Sequence, residues 1–564
     1  MLEGTVPDSV LGVNLYSCLP DLSRFLRRRL GDAAFDWAQP KLEWMGAQAG
    51  GAMQELAWLA DRNPPSLEAV DPQGRRINHV RVHPAYQELK RIAYNEAGLV
   101  ALAYDEENRK AHGPNLHAVK FASGMLFAHA EQGLFCPICL TDGTARLLEM
   151  FGGGPANDRF FSDLTATTCD PPVQGAMFLT ERPGGSDVGS NEVVARKDGD
   201  VWRVNGEKWF CSNAEADVAL ITARPEGAQE GTRGLGLFAV PRLLENGQPN
   251  GQVLQRLKDK MGTRSMPTGE IVYQDAVAYQ VGELDKGFKQ MAEMLNLSRL
   301  YNSVASVAIM RSTMIHAWAY ASRRRAFGNR LIEFPLVQDQ LIQQAAELEG
   351  AMHLVWDTIN GLDRRDSKQA TDEDLALWRL LTPLAKLSTA KQAVRLSSEA
   401  LELLGGNGYM EEWPTARLYR DAQVLPVWEG TTNVLSLDTF RVFQKEGTAE
   451  LLLSKISEGL NHAPNPETQT LLETTVVALG ADLKTLAGLD PLQATVHMRA
   501  WCERAAAAWA TARMFEAATL GERETGLAIA HAWRRLGTPT AGGVDQRRTA
   551  DLDIMPLVFP EGPF

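Results

Sequence analysis

The residues of this chain that could carry chemistry are concentrated in three short segments. One carboxylate, in Trp428-Glu429-Gly430-Thr431-Thr432-Asn433, stands between a bulky aromatic residue and a glycine, just before a predicted helix. Threonines at a helix start are good N-cap residues, and a helix N-terminus can accept a phosphate or ribose oxygen. The other two segments are rich in glycine: Thr180-Glu181-Arg182-Pro183-Gly184-Gly185-Ser186-Asp187 and Leu404-Gly405-Gly406-Asn407-Gly408-Tyr409. A glutamate in a loop is more often a solvated acid, so residue types alone leave the role of Glu429 open.

The two glycine-rich segments let the backbone approach an anion closely, because glycine carries no side chain. The first of them follows the apolar residues Met177-Phe178-Leu179, and Thr180 and Ser186 add hydroxyl groups to it. Both segments also fit plain structural roles. The first could be a tight turn, and the second a helix C-cap with glycines in the left-handed conformation.

Three further motifs are compatible with chemistry or with structure. The aromatic residues of Gly206-Glu207-Lys208-Trp209-Phe210-Cys211-Ser212-Asn213 would most simply belong to a core, and Arg323-Arg324-Arg325 to a solvated surface. Cys136-Pro137-Ile138-Cys139 could be a redox pair or half of a zinc site, but no second CxxC accompanies it. We interpret it as a structural thiol pair. The sequence has no H-E-x-x-H arrangement, so we expect no catalytic metal.

The size and composition are those of a multidomain globular protein. A chain of 564 residues exceeds one hydrophobic core and predicts three or four domains. Its 45% hydrophobic and 23% charged residues are ordinary, and a net charge of −13 argues against a surface dominated by nucleic-acid phosphate contacts. No apolar segment approaches the roughly 20 residues that span a bilayer, and Met1 to Val10 lack a secretory signal pattern. We therefore expect a cytoplasmic protein.

The hydrophobic periodicity changes twice along the chain. Short alternating strands from about Gly175 to Gly282 are preceded by helical patterns over 42–62, 84–112, 115–132 and 143–151. Within the strand region we predict a turn at Lys197-Asp198-Gly199-Asp200 and a hairpin at Asn205-Gly206, because Asn-Gly between alternating segments is a strong hairpin signal. The helical patterns that follow suggest an antiparallel bundle and a further Ala-rich and Leu-rich block, over 288–327, 335–362, 374–404, 434–445 and 450–564.

The order and separation of these segments resemble the acyl-CoA dehydrogenase family of flavoproteins. Residues 59–65, 74–76, 83–86 and 257–265, with the long C-terminal block, resemble its AidB-like, adaptive-response branch. The resemblance covers about residues 10–445 and implies an α+β multidomain protein with the acyl-CoA dehydrogenase-like fold. The implied domains are an N-terminal helical domain with an N-terminal extension (1–174), a middle flavin-binding β-barrel domain (175–282), a four-helix bundle with the catalytic glutamate (283–446) and an additional C-terminal helical domain (447–564).

The resemblance also implies roles for individual residues. Glu429 matches the base of the family's Y/W-E-G-T motif, which removes the α-proton of an acyl-CoA thioester while N5 of FAD accepts the β-hydride. In the family's T-E-x-x-x-G-S-D loop, Thr180 would contact the flavin ring and Ser186 the pyrophosphate, and Phe210 and Ser212 match the strand that lies against the ring. The full set implied to bind FAD is Met177, Thr180, Gly185, Ser186, Phe210, Ser212, Arg324, Phe327, Glu402, Gly405, Gly406, Trp428, Gly430, Thr431 and Asn433.

Some positions depart from the family's pattern, and some imply contacts between subunits. Phe210 and Ser212 stand where Trp and Thr are common, and Glu402 stands where many members carry Gln. Arg324 and Phe327 match an R-x-x-F-G motif in which the arginine pairs with the FAD pyrophosphate of a neighbouring subunit, where its planar guanidinium is well suited. The resemblance therefore implies a homotetramer in which subunits share cofactor sites.

The substrate side of the site is expected on a long helix that begins near residue 288. Met294 and Arg299 are the residues expected in the acyl pocket. Some branches of the family place the base directly before that arginine, but Ser298 stands there in this chain. Glu429 is therefore the single candidate base.

The predicted function is FAD-dependent α,β-dehydrogenation of an acyl-CoA, with an electron-transfer flavoprotein as a possible electron acceptor. The alternative is a flavoprotein with little turnover that binds DNA or a fatty acyl-CoA in a stress or alkylation response. Residues 441–564 carry 12 Lys plus Arg against 15 Asp plus Glu, and Arg534-Arg535 and Arg547-Arg548 are isolated doublets. The sequence therefore offers little for neutralising DNA phosphates.

Overall fold

The computed structural model describes residues 10, 12–19, 21–446, 448–537 and 546–561. The chain divides into two compact units. Met1–Gly51, His112–His129 and Asn302–Phe564 form the first unit, and Ala52–Ala111 and Ala130–Tyr301 form the second unit. The N-terminal helical region, which we predicted as one domain, therefore contributes segments to both units.

Helices dominate both ends of the chain, as predicted. Among the described residues they are, in order, α1 (Asp21–Leu30), α2 (Asp32–Gly50), α3 (Ala52–Arg62), α4 (Pro84–Lys90), α5 (Glu106–His112), α6 (Leu116–Ala130), α7 (Phe135–Phe151), α8 (Pro155–Leu164), α9 (Gly287–Arg323), α10 (Pro335–Asp366), α11 (Asp372–Leu403), α12 (Pro414–Ala422), α13 (Thr432–Glu446), α14 (Thr448–Glu458), α15 (Pro466–Ala487), α16 (Pro491–Ala518), α17 (Glu522–Arg535), α18 (Gln546–Asp551) and α19 (Met555–Val558).

The strands are concentrated in the middle of the chain. They are β1 (Ser66–Val70), β2 (Arg76–Arg81), β3 (Gly175–Phe178), β4 (Val194–Asp198), β5 (Val201–Ser212), β6 (Val218–Pro225), β7 (Gly236–Pro241), β8 (Gln252–Leu257), β9 (Thr268–Val281), β10 (Arg325–Ala326) and β11 (Asn329–Arg330).

Five strands of the second unit close into a barrel. The hydrogen-bonded order is β6-β4-β5-β9-β7, and β7 pairs back onto β6, while β3 adds to β6 and β8 adds to β9. Alternate side chains point inward, and buried residues such as Trp202, Phe238, Ile271 and Tyr273 form the barrel core. The predicted α+β class with a middle β-barrel is confirmed.

The barrel contains one turn that the sequence predicted correctly and one that it did not. β4 and β5 pair antiparallel around Gly199, which has φ 58°. The hairpin predicted at Asn205-Gly206 is wrong, because both residues lie inside β5, opposite a bulge of β9. Asn205 Oδ1 there accepts a hydrogen bond from the amide of Asp275 at 2.8 Å, so β9 continues along β5 on both sides of the bulge.

A hairpin that periodicity did not indicate lies against the barrel. β1 and β2 pair antiparallel around Gly74, in a region where the sequence shows only two turn-forming clusters, Asn63-Pro64-Pro65 and Asp71-Pro72-Gln73-Gly74. Asn78 Nδ2 donates to the carbonyl oxygen of Gln252 at 2.7 Å, and the amide of Leu254 donates to Asn78 Oδ1 at 3.2 Å. The hairpin therefore satisfies backbone groups of β8, which is otherwise an edge strand of the sheet.

The first unit joins the predicted bundle to the C-terminal helices. Helix α11 begins with a capping box in which Thr371 Oγ1 accepts a hydrogen bond from the Asp374 amide at 3.2 Å. The C-terminal helices pack on α10 through buried polar contacts. Trp509 Nε1 donates to an oxygen of Asp357 at 2.8 Å. The C-terminal block is therefore part of the same compact unit as the bundle.

His531 is one of the groups that join α17 to α10. It is fully buried, its Nδ1 lies 2.9 Å from Thr511 Oγ1, and a Cβ on Gly350 would lie 2.5 Å from its Nε2. Burial, with a smaller contribution from the charge of Arg535, lowers the pKa of His531 to about 3. The packed structure therefore requires the neutral imidazole.

This requirement predicts a pH-dependent stability. The pKa of His531 is lower in the folded chain than the roughly 6.5 of an unfolded chain. The contribution of neutral His531 to the free energy of unfolding is therefore complete above pH 6.5. It is lost as the pH falls toward the pKa of His531 in the folded chain, by up to about 1.4 kcal/mol per pH unit. In urea unfolding at pH 7 and pH 5, His531→Gln should show a smaller loss of stability on acidification than wild type. The exposed-site control His79→Gln should behave like wild type, and equal pH dependence in all three would contradict the assignment.

Candidate active site

The structure divides the predicted site residues into two groups, one in each unit. The residue ranges of the two units assign each predicted site residue to one of them. The second unit contains Met177, Thr180, Gly185, Ser186, Phe210, Ser212, Met294 and Arg299. The first unit contains Arg324, Phe327, Glu402, Gly405, Gly406, Trp428, Glu429, Gly430, Thr431 and Asn433.

The glycine-rich loop after β3, residues 180–187, is fixed from inside by Glu181. One oxygen of this buried carboxylate accepts a hydrogen bond from Lys208 Nζ at 2.6 Å. The other oxygen accepts from the amides of Glu192 and Val193 at 2.5 and 3.1 Å. Because Lys208 and Glu181 are both almost completely buried, water does not screen the ion pair. The loop is therefore held in one conformation by the protein itself.

The Glu181–Lys208 pair was not predicted from the sequence. Burial lowers the pKa of Lys208, and the charge and hydrogen bond of Glu181 oppose that shift. A signal was present in the sequence, because Lys208 follows Trp202 and Val204 at two-residue spacing and therefore lies on the same inward-facing side of β5. A charged residue in a core position of a strand requires a buried partner.

The tip of the loop presents backbone and hydroxyl groups to solvent. A Cβ on Gly184 would lie 2.5 Å from the carbonyl oxygen of Asp187 and from Ser190 Oγ, so this position requires glycine. Gly185 and Ser186 beyond it are exposed. Exposed amides and a hydroxyl in a glycine-rich turn suit an anion such as a pyrophosphate.

Strand β5 presents an unusual aromatic residue beside this loop. The Trp209 amide donates to the Thr180 carbonyl oxygen at 2.8 Å, which joins the strand to the loop. The next residue, Phe210, has φ 56° and a side chain that is 60% exposed, with Lys258 Nζ 4.9 Å from the ring centre. Ser212 is half-buried two residues later. An exposed aromatic ring held in a left-handed backbone suits a flat ligand that stacks on it.

The predicted pocket residues of the second unit differ in their surroundings. Met294 is completely buried, and a Cβ on Gly143 of α7 would lie 2.6 Å from its Cγ. Met177 is half-buried against the same apolar cluster. Arg299 is half-buried, and its Nη1 donates to Asn296 Oδ1 at 3.2 Å. Met294 therefore borders α7 directly.

In the first unit, Glu429 lies in a tightly constrained turn before α13. It is half-buried with φ 57°, and Gly430 follows with φ 100°. The completely buried Lys386 of α11 donates from Nζ to the Gly430 carbonyl oxygen at 2.6 Å. Thr431 Oγ1 accepts a bond from the amide three residues later at 3.5 Å, which is the predicted N-cap. Lys386 was not anticipated from the sequence, because its contact spans 44 residues of chain.

The neighbours of Glu429 fit a bound ligand. Trp428 is half-buried, and its indole Nε1 is buried without an acceptor among the residues that the structure describes. Asn433 is exposed on the first turn of α13. A buried indole N–H without a partner is costly, and a bound group with an acceptor atom would satisfy it.

A third part of the site lies on the surface of the first unit. Arg324 is half-buried where α9 ends, and Phe327, in the turn between β10 and β11, has φ 51° and is 96% exposed. A Cβ on Gly405 or Gly406 would meet no atom within 4 Å, and Glu402 is exposed nearby in the chain. The open glycines and the exposed aromatic residue are each accessible to a second molecule.

Comparisons with known proteins identify the family. Residues 6–171 match the adaptive response protein AidB N-terminal domain, residues 176–276 the acyl-CoA dehydrogenase middle domain, and residues 285–442 the acyl-CoA dehydrogenase C-terminal domain. The Escherichia coli protein AidB is 37% identical over 74% of this chain and 76% of its own. The chain belongs to the acyl-CoA dehydrogenase family.

Further relatives agree with this assignment. Acyl-CoA dehydrogenase family member 11 of Caenorhabditis elegans is 34% identical over 79% of this chain and 73% of its own. A crystal structure of Caenorhabditis elegans ACDH-11 in complex with C11-CoA has a TM-score of 0.89, with 28% identity over 100% of this chain and 97% of that chain. An acyl-CoA dehydrogenase from Bacillus anthracis complexed with FAD shares the fold, with a TM-score of 0.68, 19% identity, and coverage of 85% and 84%.

The family assignment establishes the class of enzyme and the cofactor. The predicted AidB-like branch is confirmed, and the chain is an oxidoreductase of the acyl-CoA dehydrogenase family that uses FAD. Within the second unit, the exposed glycine-rich loop and the exposed Phe210 ring fit that group. Across the described ranges, no helix is both long and apolar enough to cross a membrane. Those same ranges contain no cluster of three His, Cys, Asp or Glu side chains that could hold a metal ion.

The buried pair behind the loop predicts a specific loss of cofactor. Lys208→Met removes the ammonium and leaves the Glu181 carboxylate buried without its counter-ion, a change that typically costs about 3–5 kcal/mol. We expect the purified variant to retain less FAD than wild type, measured as the ratio of visible flavin absorbance to protein absorbance. Glu207→Gln is the control, because Glu207 pairs with Arg182 of the same loop but at the surface. Equal FAD content in Lys208→Met and wild type would show that the loop does not need this pair.

Proposed function

We propose that this enzyme is an acyl-CoA dehydrogenase in which Glu429 removes the α-proton of the thioester. The backbone of Glu429 supports this role most directly. A left-handed conformation costs a residue with a side chain about 1–3 kcal/mol, so it persists only where the surroundings impose it. Here Gly430 and the buried Lys386 impose it and fix the direction in which the Glu429 side chain leaves the backbone. An ordinary surface acid needs no such constraint.

The chemistry requires a base whose position is fixed. An α-proton of a thioester is weakly acidic, so the base must lie within hydrogen-bonding distance of it and be screened from water. Trp428 precedes Glu429 and supplies an apolar wall. When bound, FAD supplies the two-electron acceptor that the desaturation needs. We further propose that an electron-transfer flavoprotein removes these electrons.

Several residues of this chain would hold the cofactor. We assign the pyrophosphate to the exposed amides of the loop and Ser186, and the ring system to Thr180, Phe210 and Ser212. The fixed Glu181–Lys208 pair supports this assignment, because a preformed loop loses little conformational entropy when it binds an anion.

An acyl-CoA is the substrate class that the comparisons favour. The Caenorhabditis elegans structure, 28% identical over the whole chain, contains C11-CoA. In this chain Met294, packed on Gly143, and Arg299 are proposed to border the acyl group. Methionine suits such a position because its flexible side chain adapts to irregular apolar shapes.

The alternative is a flavoprotein with little turnover that binds a fatty acyl-CoA or DNA. DNA binding is the less well supported version of this alternative, because the arginine doublets of the C-terminal block are paired with carboxylates. Arg534 pairs with Asp339 and Asp551, and Arg548 also pairs with Asp339. The other two arginines pair with Glu347 and Glu467. Arginines engaged by carboxylates are poorly suited to neutralise phosphates, so acyl-CoA binding is the better-supported form.

We also propose that the chain assembles as a homotetramer through the surface around Phe327. The exposed apolar residues of the first unit include Phe327 at 96%, Leu336 at 85% and Tyr409 at 77%. Exposed apolar groups of this size mark interaction surfaces. In the family resemblance, this surface also places Arg324 and Gly405-Gly406 near the FAD of a second copy.

Sedimentation analysis tests the assembly. Wild type should sediment as a species of four 62.0 kDa chains. Phe327→Asp should shift the population toward smaller species, because it places a charge in an apolar contact. Val477→Asp is the control, since Val477 is 66% exposed on α15, away in sequence from that surface. A monomeric wild type would refute the proposal.

Glu429→Gln tests the proposed base. We expect acyl-CoA to bleach the visible flavin absorption of the wild-type enzyme under anaerobic conditions, and to do so about 100- to 10,000-fold more slowly in the variant, the usual contribution of a general base. Glu412→Gln, which changes an exposed acid, should react like wild type. Normal FAD content in Glu429→Gln would show that the loss is chemical. A wild-type flavin band that persists with every acyl-CoA would favour the low-turnover alternative.

A further inference from the structure

The Cys136-Pro137-Ile138-Cys139 motif lies at the start of α7, in the second unit, and takes no part in the proposed dehydrogenation. Cys136 is the second residue of the helix, and Cys139 is one turn further along. We propose that this pair is a thiol–disulfide exchange site, in which Cys136 attacks a small-molecule disulfide and Cys139 resolves the mixed disulfide. This role replaces the structural one that the sequence pattern favoured.

Helix geometry brings the two cysteines to a distance that a disulfide can bridge. Residues three apart on an α-helix have Cα atoms about 5 Å apart. Disulfides join Cα atoms that are about 4.4–6.8 Å apart, so the bridge needs little movement of the backbone. The motif therefore satisfies the first requirement of a reversible dithiol.

The two thiols differ in exposure in the way that the two steps require. Cys136 is half-buried, so a small disulfide can reach it. Cys139 is only 6% exposed, which shields it from a bulky reagent while leaving it beside Cys136. The first thiol is thus placed to attack and the second to resolve.

The buried Tyr86 is electrostatically coupled to Cys136. The Tyr86 hydroxyl is buried and has no hydrogen-bond partner among the described residues. Burial first, and then the charges of Tyr94, Glu131, Glu215 and Cys136, raise the pKa of Tyr86 well above its usual range. The phenol therefore keeps its proton, and Cys136 is one of the charges that act on it.

Both carboxylates that act on Tyr86 are engaged by other groups. Lys90 Nζ lies 5.2 Å from the Tyr86 ring centre and 3.0 Å from an oxygen of Glu215. Glu131 accepts hydrogen bonds from Ser265 Oγ at 2.6 Å and from the amide of Leu134 at 3.0 Å. The N-terminus of α7, with its positive dipole end, adds a contribution that favours a thiolate at Cys136.

The exchange balances with glutathione disulfide as the oxidant. The Cys136 thiolate attacks one sulfur of glutathione disulfide, which forms a mixed disulfide and releases one glutathione thiolate. The Cys139 thiolate then attacks Sγ of Cys136, which forms the intramolecular disulfide and releases the second glutathione. Two protein thiols are oxidised, one disulfide is reduced to two glutathione molecules, and a dithiol reagent reverses the sequence.

Peptide mapping of the full-length, FAD-loaded enzyme tests the proposal. After treatment with glutathione disulfide and trapping of remaining thiols, the tryptic peptide 121–146, which contains both cysteines, should have lost two thiols without retaining glutathione. The other four cysteines are internal controls. Burial raises the pKa of Cys18, Cys211 and Cys502, so they should not react. Any glutathione on the partly exposed Cys169 should persist, because no second cysteine is adjacent in sequence to resolve it.

Two variants separate the two roles. Cys139→Ser should accumulate glutathione on Cys136, and Cys136→Ser should leave Cys139 unmodified under the same conditions. Stable glutathione on Cys136 of the wild type, or no reaction of either thiol, would overturn the proposal. Because these two outcomes are read from the wild-type protein, they decide the question even if a variant fails to fold.

Discussion

The contact on which the cofactor side of this enzyme depends is the buried ion pair between Glu181 and Lys208. It has almost no exposure to solvent, and its carboxylate also binds two backbone amides. A charge pair taken out of water contributes little net stability, but its loss leaves an uncompensated charge. Its value here lies in geometry, because it fixes a glycine-rich loop that would otherwise sample many conformations.

The first unit uses a related device. The buried ammonium of Lys386 binds the Gly430 carbonyl oxygen and holds the turn that carries Glu429. Among the described residues, eight that are not glycine have positive φ, and Phe210, Phe327 and Glu429 are three of them. Local conformation at these positions is unfavourable and is imposed by the surrounding fold. Such positions are typical of sites at which a protein must direct one side chain toward a ligand.

The sequence predicted most of what depends on local pattern and residue type. The long helices, the barrel region and the turn before α13 followed from periodicity and capping residues. The predictions from sequence failed where contacts between segments distant in the chain determine the local structure. Asn205-Gly206 continues β5 because β9 pairs with β5 on both sides of it, and β1–β2 forms against β8. The roles of Lys208 and Lys386 were not predicted, because their hydrogen-bond partners lie 27 and 44 residues away in the sequence.

The central claim, that Glu429 is the base, can be tested apart from the complete reaction. A 3-thia-acyl-CoA has an α-proton but no β-carbon from which hydrogen could be removed. In deuterated water, we predict that the FAD-loaded wild type exchanges the α-protons of this compound for deuterium, measured by mass spectrometry. Glu429→Gln should bind the compound but leave its α-protons unexchanged. Exchange at the wild-type rate in the variant would show that another group is the base.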